Sequence, residues 1–181
     1  MTGWNSLEAI LILLFFLYVV PILRFKENHW LRINIVGGAW VLVSYSNSTP
    51  ELWGVIPSWL RPIYVASMLL AALGYVVFTL YLLLNPRKFD PQLINGLYCS
   101  ILVPSALWIH FALERFRGVQ ILLFWTAIGA GGVLFLLGRA WGQRKTNDLS
   151  MALLGSFYFF FHVLVFDALL WPSLFFVSIK N

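Results

Sequence analysis

The chain has 181 residues, of which 61% are hydrophobic and 10% charged, whereas an ordinary soluble domain is roughly half apolar and about a quarter charged. So few charges cannot cover a water-facing surface, and a soluble globular domain is excluded as an expectation. Lys and Arg number 12 against 7 Asp and Glu, a net charge of +5, but the basic residues are scattered over short loops. They form no stripe that could track a phosphate backbone, which argues against a nucleic-acid partner. Cys99 is the single cysteine and allows no intramolecular disulfide.

Apolar runs long enough to cross a hydrocarbon layer of about 30 Å recur along the chain. The first, Leu7 to Leu23, follows a segment without a basic side chain, so it reads as a retained membrane helix rather than a cleaved leader. The second, Ile33 to Ser46, covers only about 21 Å at 1.5 Å per residue and contains Gly37-Gly38. It is tilted, re-entrant, or extended by Trp30 and Leu31. Four further segments follow at Ile63–Leu84, Leu93–Leu113, Val119–Gly138 and Leu149–Trp171. With six crossings, one side receives eight basic residues (Arg24, Lys26, Arg32, Arg87, Lys88, Arg139, Arg144, Lys145) and the other four (Arg61, Arg115, Arg117, Lys180). Without the second crossing the split is seven against five. Basic loops favour the cytoplasmic side. The expected architecture is therefore an all-α, polytopic transmembrane bundle of six helices, or five if the second segment does not cross. It forms a single integral membrane domain over residues 1–181 with both termini non-cytoplasmic. The sequon Asn47-Ser48-Thr49 falls in an outer loop on this topology.

Trp4, Trp30, Trp53, Trp59, Trp141 and Trp171 lie near the expected helix ends, where amphipathic rings suit the headgroup layer. Trp40, Trp108 and Trp125 lie inside spans, where an indole faces lipid or finds a partner for its N–H. Ser67, Ala71 and Gly74 share one helix face, and Gly129-Ala130-Gly131-Gly132 smooths another. Close helix approach explains both stretches; a slot for a flat ligand beside Trp125 is the functional alternative.

Ionisable groups inside spans are costly unless paired or wet. His110 and Glu114 are one turn apart on the fourth segment, while Tyr158 and His162 are one turn apart on the sixth, with Asp167 just beyond. In the six-helix topology the histidines fall about 25 Å and about 20 Å from the inner starts of their helices. His110, Glu114, His162 and Asp167 thus form a candidate polar site in the outer half. The alternative places Glu114 and Asp167 in interfacial water and each imidazole against a backbone carbonyl. Two histidines at similar depth are also the pattern of a bis-histidine haem, although Phe159-Phe160-Phe161 before His162 crowds a macrocycle. Close zinc-ligand spacing is absent, and no glycine-flanked elbow presents Ser100, Ser105 or Ser156 as a nucleophile. Pro104 removes a backbone bond to Ser100 and predicts a kink beside Trp108 and His110.

The segment between the second and third spans is dense in Pro and Trp, with Pro50, Trp53, Pro57 and Trp59, and is followed by Tyr64, Met68 and Gly74-Tyr75. Together with Pro104 in the next helix and the aromatic last helix around Tyr158, these residues resemble the translocator protein family, also called tryptophan-rich sensory proteins, over roughly Ile33 to Trp171. That family comprises five-helix membrane proteins that bind porphyrins and sterols. The resemblance implies a ligand pocket to which Trp53, Trp59 and Tyr64 contribute. The family's Trp-x-Pro-Pro and Asn-x-x-Trp-x-Pro runs are not matched, and Leu7–Leu23 would be an additional helix.

The expected function is binding or transport of a flat or elongated apolar small molecule, such as a tetrapyrrole, a sterol or another isoprenoid or lipid. Trp40, Trp108 and Trp125 would supply ring surface, and His110 with Glu114 or His162 would engage the polar end. Two alternatives predict different behaviour. An accessory subunit of a larger membrane complex would co-purify stoichiometrically with its partners, whereas a binder would emerge alone or as a small homo-oligomer. A membrane enzyme acting on a lipid or isoprenoid by acid–base chemistry would need at least two of His110, Glu114, His162 and Asp167 within hydrogen-bond reach of a shared cavity.

Overall fold

The computed structural model describes residues 13, 29–46, 50–53, 56–113, 118–143 and 145–177. The expected Leu7–Leu23 helix, apart from Leu13, lies outside them, as do Glu114 and the Asn47-Ser48-Thr49 sequon. The regular structure is entirely helical among the described residues. In chain order it comprises α1 (Trp30–Ser46), a 3₁₀ turn (Pro50–Trp53), α2 (Arg61–Leu84), a second 3₁₀ turn (Pro86–Lys88), α3 (Pro91–Leu113), α4 (Val119–Gln143) and α5 (Asn147–Phe161). α5 runs on through a π-helical stretch, His162–Leu170, into α6 (Trp171–Val177).

Four of these helices, Arg61–Leu84, Pro91–Leu113, Val119–Gln143 and the continuous run Asn147–Phe175, are long and apolar enough to cross a membrane. This is the class the composition demands, with four spans among the described residues where the loop charges predict six. α1 gains Trp30, Leu31 and Arg32 at its start and reaches 17 residues, about 26 Å of rise and the lower end of spanning length. α3 continues without a break through Pro104.

Helix ends follow local chemistry. Thr146 caps α5 by accepting from the Leu149 backbone N–H, with Asp148 in the first turn. Pro62 occupies the first turn of α2, where its missing N–H costs nothing. Asn85 closes α2 by donating from Nδ2 to the Tyr81 carbonyl at 2.8 Å.

The chain divides into two compact units, one of Met1–Thr49 with Pro86–Gly129, the other of Pro50–Asn85 with Ala130–Asn181. In the first, the buried positions of α1 are Trp30, Ile33, Gly37, Trp40 and Ser44. Their alternating steps of three and four trace one helix face. That face packs on α3 with both helices running the same way: Trp30 stacks on Tyr98 at 6.3 Å, Leu102 fills the space above Gly37, and Tyr45 meets the edge of Trp108 at 6.0 Å. Gly129 of α4 sits so near Ser100 that a Cβ there would lie 3.0 Å from its backbone. Close packing with α3 therefore occupies the small face at Gly129.

In the second unit the same rhythm recurs on α2, whose buried residues include Tyr64, Ser67, Ala71, Gly74, Phe78 and Tyr81. α2 and α5 run antiparallel and touch backbone to backbone at Gly74 and Gly155. A Cβ on Gly155 would stand 2.8 Å from the Gly74 carbonyl oxygen, and one on Gly74 would strike the Gly155 carbonyl. Gly131 of α4 lies beneath the Phe160 ring.

Because the obstructing atoms at Gly74 and Gly155 are backbone, neither can yield to a methyl group. Gly74→Ala and Gly155→Ala should each cost about 1–3 kcal/mol, read as a lowered thermal midpoint in detergent. Gly38→Ala and Gly142→Ala, where a Cβ meets nothing within 4 Å, should leave it unchanged or raise it.

Candidate functional site

Seven residues from Gly74 along α2 lies Ser67, and seven residues from Gly155 along the facing helix lies His162. The glycine contact thus sets a register in which these two side chains meet, with Ser67 Oγ 2.8 Å from His162 Nδ1. A straight α-helix would carry the next acidic residue away, because five residues at 100° each put Asp167 about 140° from His162. The helix widens here instead. In the π-helical stretch hydrogen bonds close over five residues, as shown by the Trp171 N–H bonding to the Phe166 carbonyl. The wider turn swings residue i+5 back toward residue i, and Asp167 comes round to the side of His162. Its Oδ1 lies 3.5 Å from His162 Nε2 and accepts a hydrogen bond from the Tyr64 hydroxyl.

Tyr158, one α-helical turn before His162, donates from its hydroxyl to Ser67 Oγ at 3.4 Å. The result is a run of neighbouring polar side chains, Tyr158, Ser67, His162, Asp167 and Tyr64, in helices that are mostly apolar. The imidazole tautomer protonated at Nε2 would turn that N–H toward the carboxylate and accept from Ser67 at Nδ1. The Nε2–Asp167 distance makes that link an electrostatic contact rather than a full hydrogen bond.

Aromatic rings surround the chain. Tyr64 meets His162 edge-on at 5.6 Å and Phe166 at 5.4 Å, and His162 stacks on Phe166 at 5.3 Å. Trp53 lies edge-on to Tyr64 at 5.9 Å with the Arg61 guanidinium over its ring. The turn that carries Trp53 is tied down by Trp171, whose indole N–H donates to the Leu52 carbonyl at 2.8 Å. Hydrogen bonds from the Arg61 side chain to the Ile56 carbonyl and from the Ile56 N–H to the Trp53 carbonyl order the approach to α2.

The structure thus brings together Tyr64, Tyr158, His162, Asp167 and Trp53 of the residues singled out in the sequence. Trp59 belongs to the same unit but is 69% exposed, suited to a headgroup layer. Trp40, Trp108, His110 and Trp125 belong to the other unit. There Trp40 and Trp108 are buried, His110 is half-buried, and Trp125 is 51% exposed. Trp30 and Trp171, which sit near the expected helix ends, are core residues. Ser67 is the member of this polar network that sequence reasoning assigned to packing alone. Its signal was available, since a hydroxyl on a packed face of a membrane helix is a candidate interhelical donor.

As chemistry, the arrangement can present a carboxyl and a phenol to the polar end of a ligand. Comparison with protein-family models, with curated proteins and with solved structures finds no match for the chain. What fold and site define is a class: a helical, aromatic-rich chain compatible with a multi-pass membrane protein and holding a polar side-chain network in one unit.

Hydrogen bonds between membrane helices contribute modestly. Tyr64→Phe should therefore cost only about 0.6–1.7 kcal/mol in unfolding titrations. Ser67→Ala also leaves His162 Nδ1 without its hydroxyl partner and should cost about 1–3 kcal/mol. Trp171→Phe should speed hydrogen exchange in the Pro50–Trp53 turn while sparing α3.

Proposed function

We propose that the chain is an integral membrane protein that binds, and carries, a flat or elongated apolar small molecule of the kind represented by tetrapyrroles, sterols and other isoprenoids or lipids. The observation that carries this reading is the Tyr158–Ser67–His162–Asp167–Tyr64 chain. Five polar side chains on two apolar helices are more than helix packing requires, given the modest return on each such bond and the cost of an ionisable group at membrane depth. Binding sites for apolar molecules are mostly apolar with a few placed polar groups, and here the ring cluster of Trp53, Tyr64, Phe161 and Phe166 supplies the apolar wall. The likeness of the Pro50–Tyr75 region to the translocator protein family supports the same ligand class.

The test is a titration of the purified protein in mild detergent with a fluorescent sterol, read by quenching of tryptophan emission, together with absorption spectra before and after dithionite and solvent extraction of bound pigment. Saturable quenching is expected, weakened about tenfold by Tyr64→Phe combined with His162→Gln, a loss of about 1.4 kcal/mol. Weakening by His110→Ala with Trp108→Ala instead would move the polar end of the site to His110. Non-saturable partitioning in every variant would remove the reading. A Soret band that shifts on reduction would make the ligand a haem.

A further inference from the structure

Two contacts depend on the π-helical stretch His162–Leu170. Inside it Asp167 accepts from the Tyr64 hydroxyl of α2, and just past it the Trp171 indole donates to the Leu52 carbonyl in the turn before α2. We propose that this stretch is a two-position coupling element. Its π form holds both contacts, and its α form withdraws Asp167 and Trp171 together, releasing the Pro50–Trp53 turn from the helix.

Geometry ties the two contacts to one pitch. The Ser67 hydroxyl fixes the direction of His162. In a straight α-helix, at 100° per residue, Asp167 would then lie about 140° and Trp171 about 180° round the axis from His162. The wider turns instead bring Asp167 to 3.5 Å from His162 Nε2 and aim Trp171 at the turn that leads into α2. Trp171 does not stand alone, because its ring stacks on Phe175 at 4.4 Å and both are buried. On the facing side Trp53 lies edge-on to Tyr64 at 5.9 Å, and the Ile56 N–H donates to the Trp53 carbonyl. The ring whose hydroxyl Asp167 accepts therefore touches the segment whose carbonyl Trp171 takes.

Local preference does not select the π form. The stretch contains neither proline nor glycine, and it is continuous with α-helix at both ends, Asn147–Phe161 before it and Trp171–Val177 after it. Hydrogen bonds closing over five residues are rare beyond a single turn, whereas this stretch runs for nine residues. What favours it is the set of contacts made from it to α2 and the leading turn: Ser67 with His162, Tyr64 with Asp167, Leu52 with Trp171. Contacts made in one of two forms set the balance between them, so loss of any one shifts the stretch toward the α form and weakens the others.

The experiment uses the full chain in maltoside micelles, with Cys99→Ala to remove the native thiol and nitroxide labels attached after Leu154→Cys and Ser173→Cys. These two exposed positions flank the stretch. Their separation, read by double electron–electron resonance, is longer in the α form, because a helix with fewer residues per turn rises more per residue. Amide exchange at Leu52 and Trp53 is followed in the same variants. Tyr64→Phe removes a contact inside the stretch; it is expected to lengthen the label separation and to speed exchange at Leu52 and Trp53 about tenfold. Trp171→Phe acts at the far contact and is expected to lengthen the same separation, with the double variant adding little to either single one. Retained protection of the α2 amides around Gly74 reports that a variant is folded. If Tyr64→Phe leaves the separation and the turn as they were, or Trp171→Phe frees the turn at an unchanged separation, the contacts are independent and the proposal falls. Where Tyr64→Phe loses protection at Gly74, the Trp171→Phe separation decides by the same criterion. Neither readout involves a ligand, so the outcome leaves the small-molecule reading to its own test.

Discussion

Two glycines on facing helices, Gly74 and Gly155, let backbone touch backbone where any side chain would collide. Between membrane helices no hydrophobic force sorts one face from another, because lipid tails are as apolar as leucine, so close packing of small residues does the sorting. Once that contact is made, α2 and α5 cannot rotate or slide relative to each other without driving a carbonyl oxygen into an α-carbon. The register then carries two turns along both helices to Ser67 and His162. The polar chain is a consequence of this contact: its own hydrogen bonds are too weak in aggregate to choose between helix faces, but they are well placed once the face is chosen.

The second constraint is the change of pitch at His162. Up to Phe161 the helix keeps the α-helical repeat, and Tyr158 lies one turn before His162 on the same face. Beyond it the wider helix accommodates an extra residue per turn, which moves Asp167 from the side to the front. The side chains that make this cluster come from Tyr64 and Ser67 at one end of α2, and from the junction of two helical forms on the other strand of the pair. π-helical turns recur at functional sites for this reason: they aim a side chain that the regular repeat would misdirect.

Much of this was legible in the sequence, and the misses have physical causes. Hydropathy alone located α2, α3 and α4 to within a few residues, because a stretch that must hide its backbone from lipid has only the helix available. The spacing of Tyr158 and His162 and the nearness of Asp167 were also readable. The pairing of His162 with Ser67 was not, because nothing local in α2 states which helix its small face will meet. Gly155 stands alone between Leu154 and Ser156, without the runs that mark Gly129–Gly132 or Ser67–Gly74, and becomes visible only from the helix opposite. The pitch change has no marker at all, since His162–Leu170 contains neither proline nor glycine. The inward turn of Trp30 and Trp171 was missed because position near a helix end was taken to decide the environment of a ring. An indole N–H can equally be drawn inward by a free carbonyl, as that of Leu52 draws Trp171.

The wide sequence separation within the site has a consequence for how the chain is made. Ser67 and His162 are 95 residues apart, and Leu52 and Trp171 are 119 apart. At a synthesis rate of about 5–20 residues per second, the hydroxyls of Tyr64 and Ser67 emerge some 5–20 seconds before their partners exist. During that interval α2 presents a polar face with no counterpart, and the insertion machinery or the membrane interface must shelter it until α5 arrives. Pairing of these side chains therefore waits for α5 and the π-helical stretch that follows it. A ribosome that stalls before Gly155 leaves an unpaired, polar-faced helix of the kind that membrane quality control is built to remove.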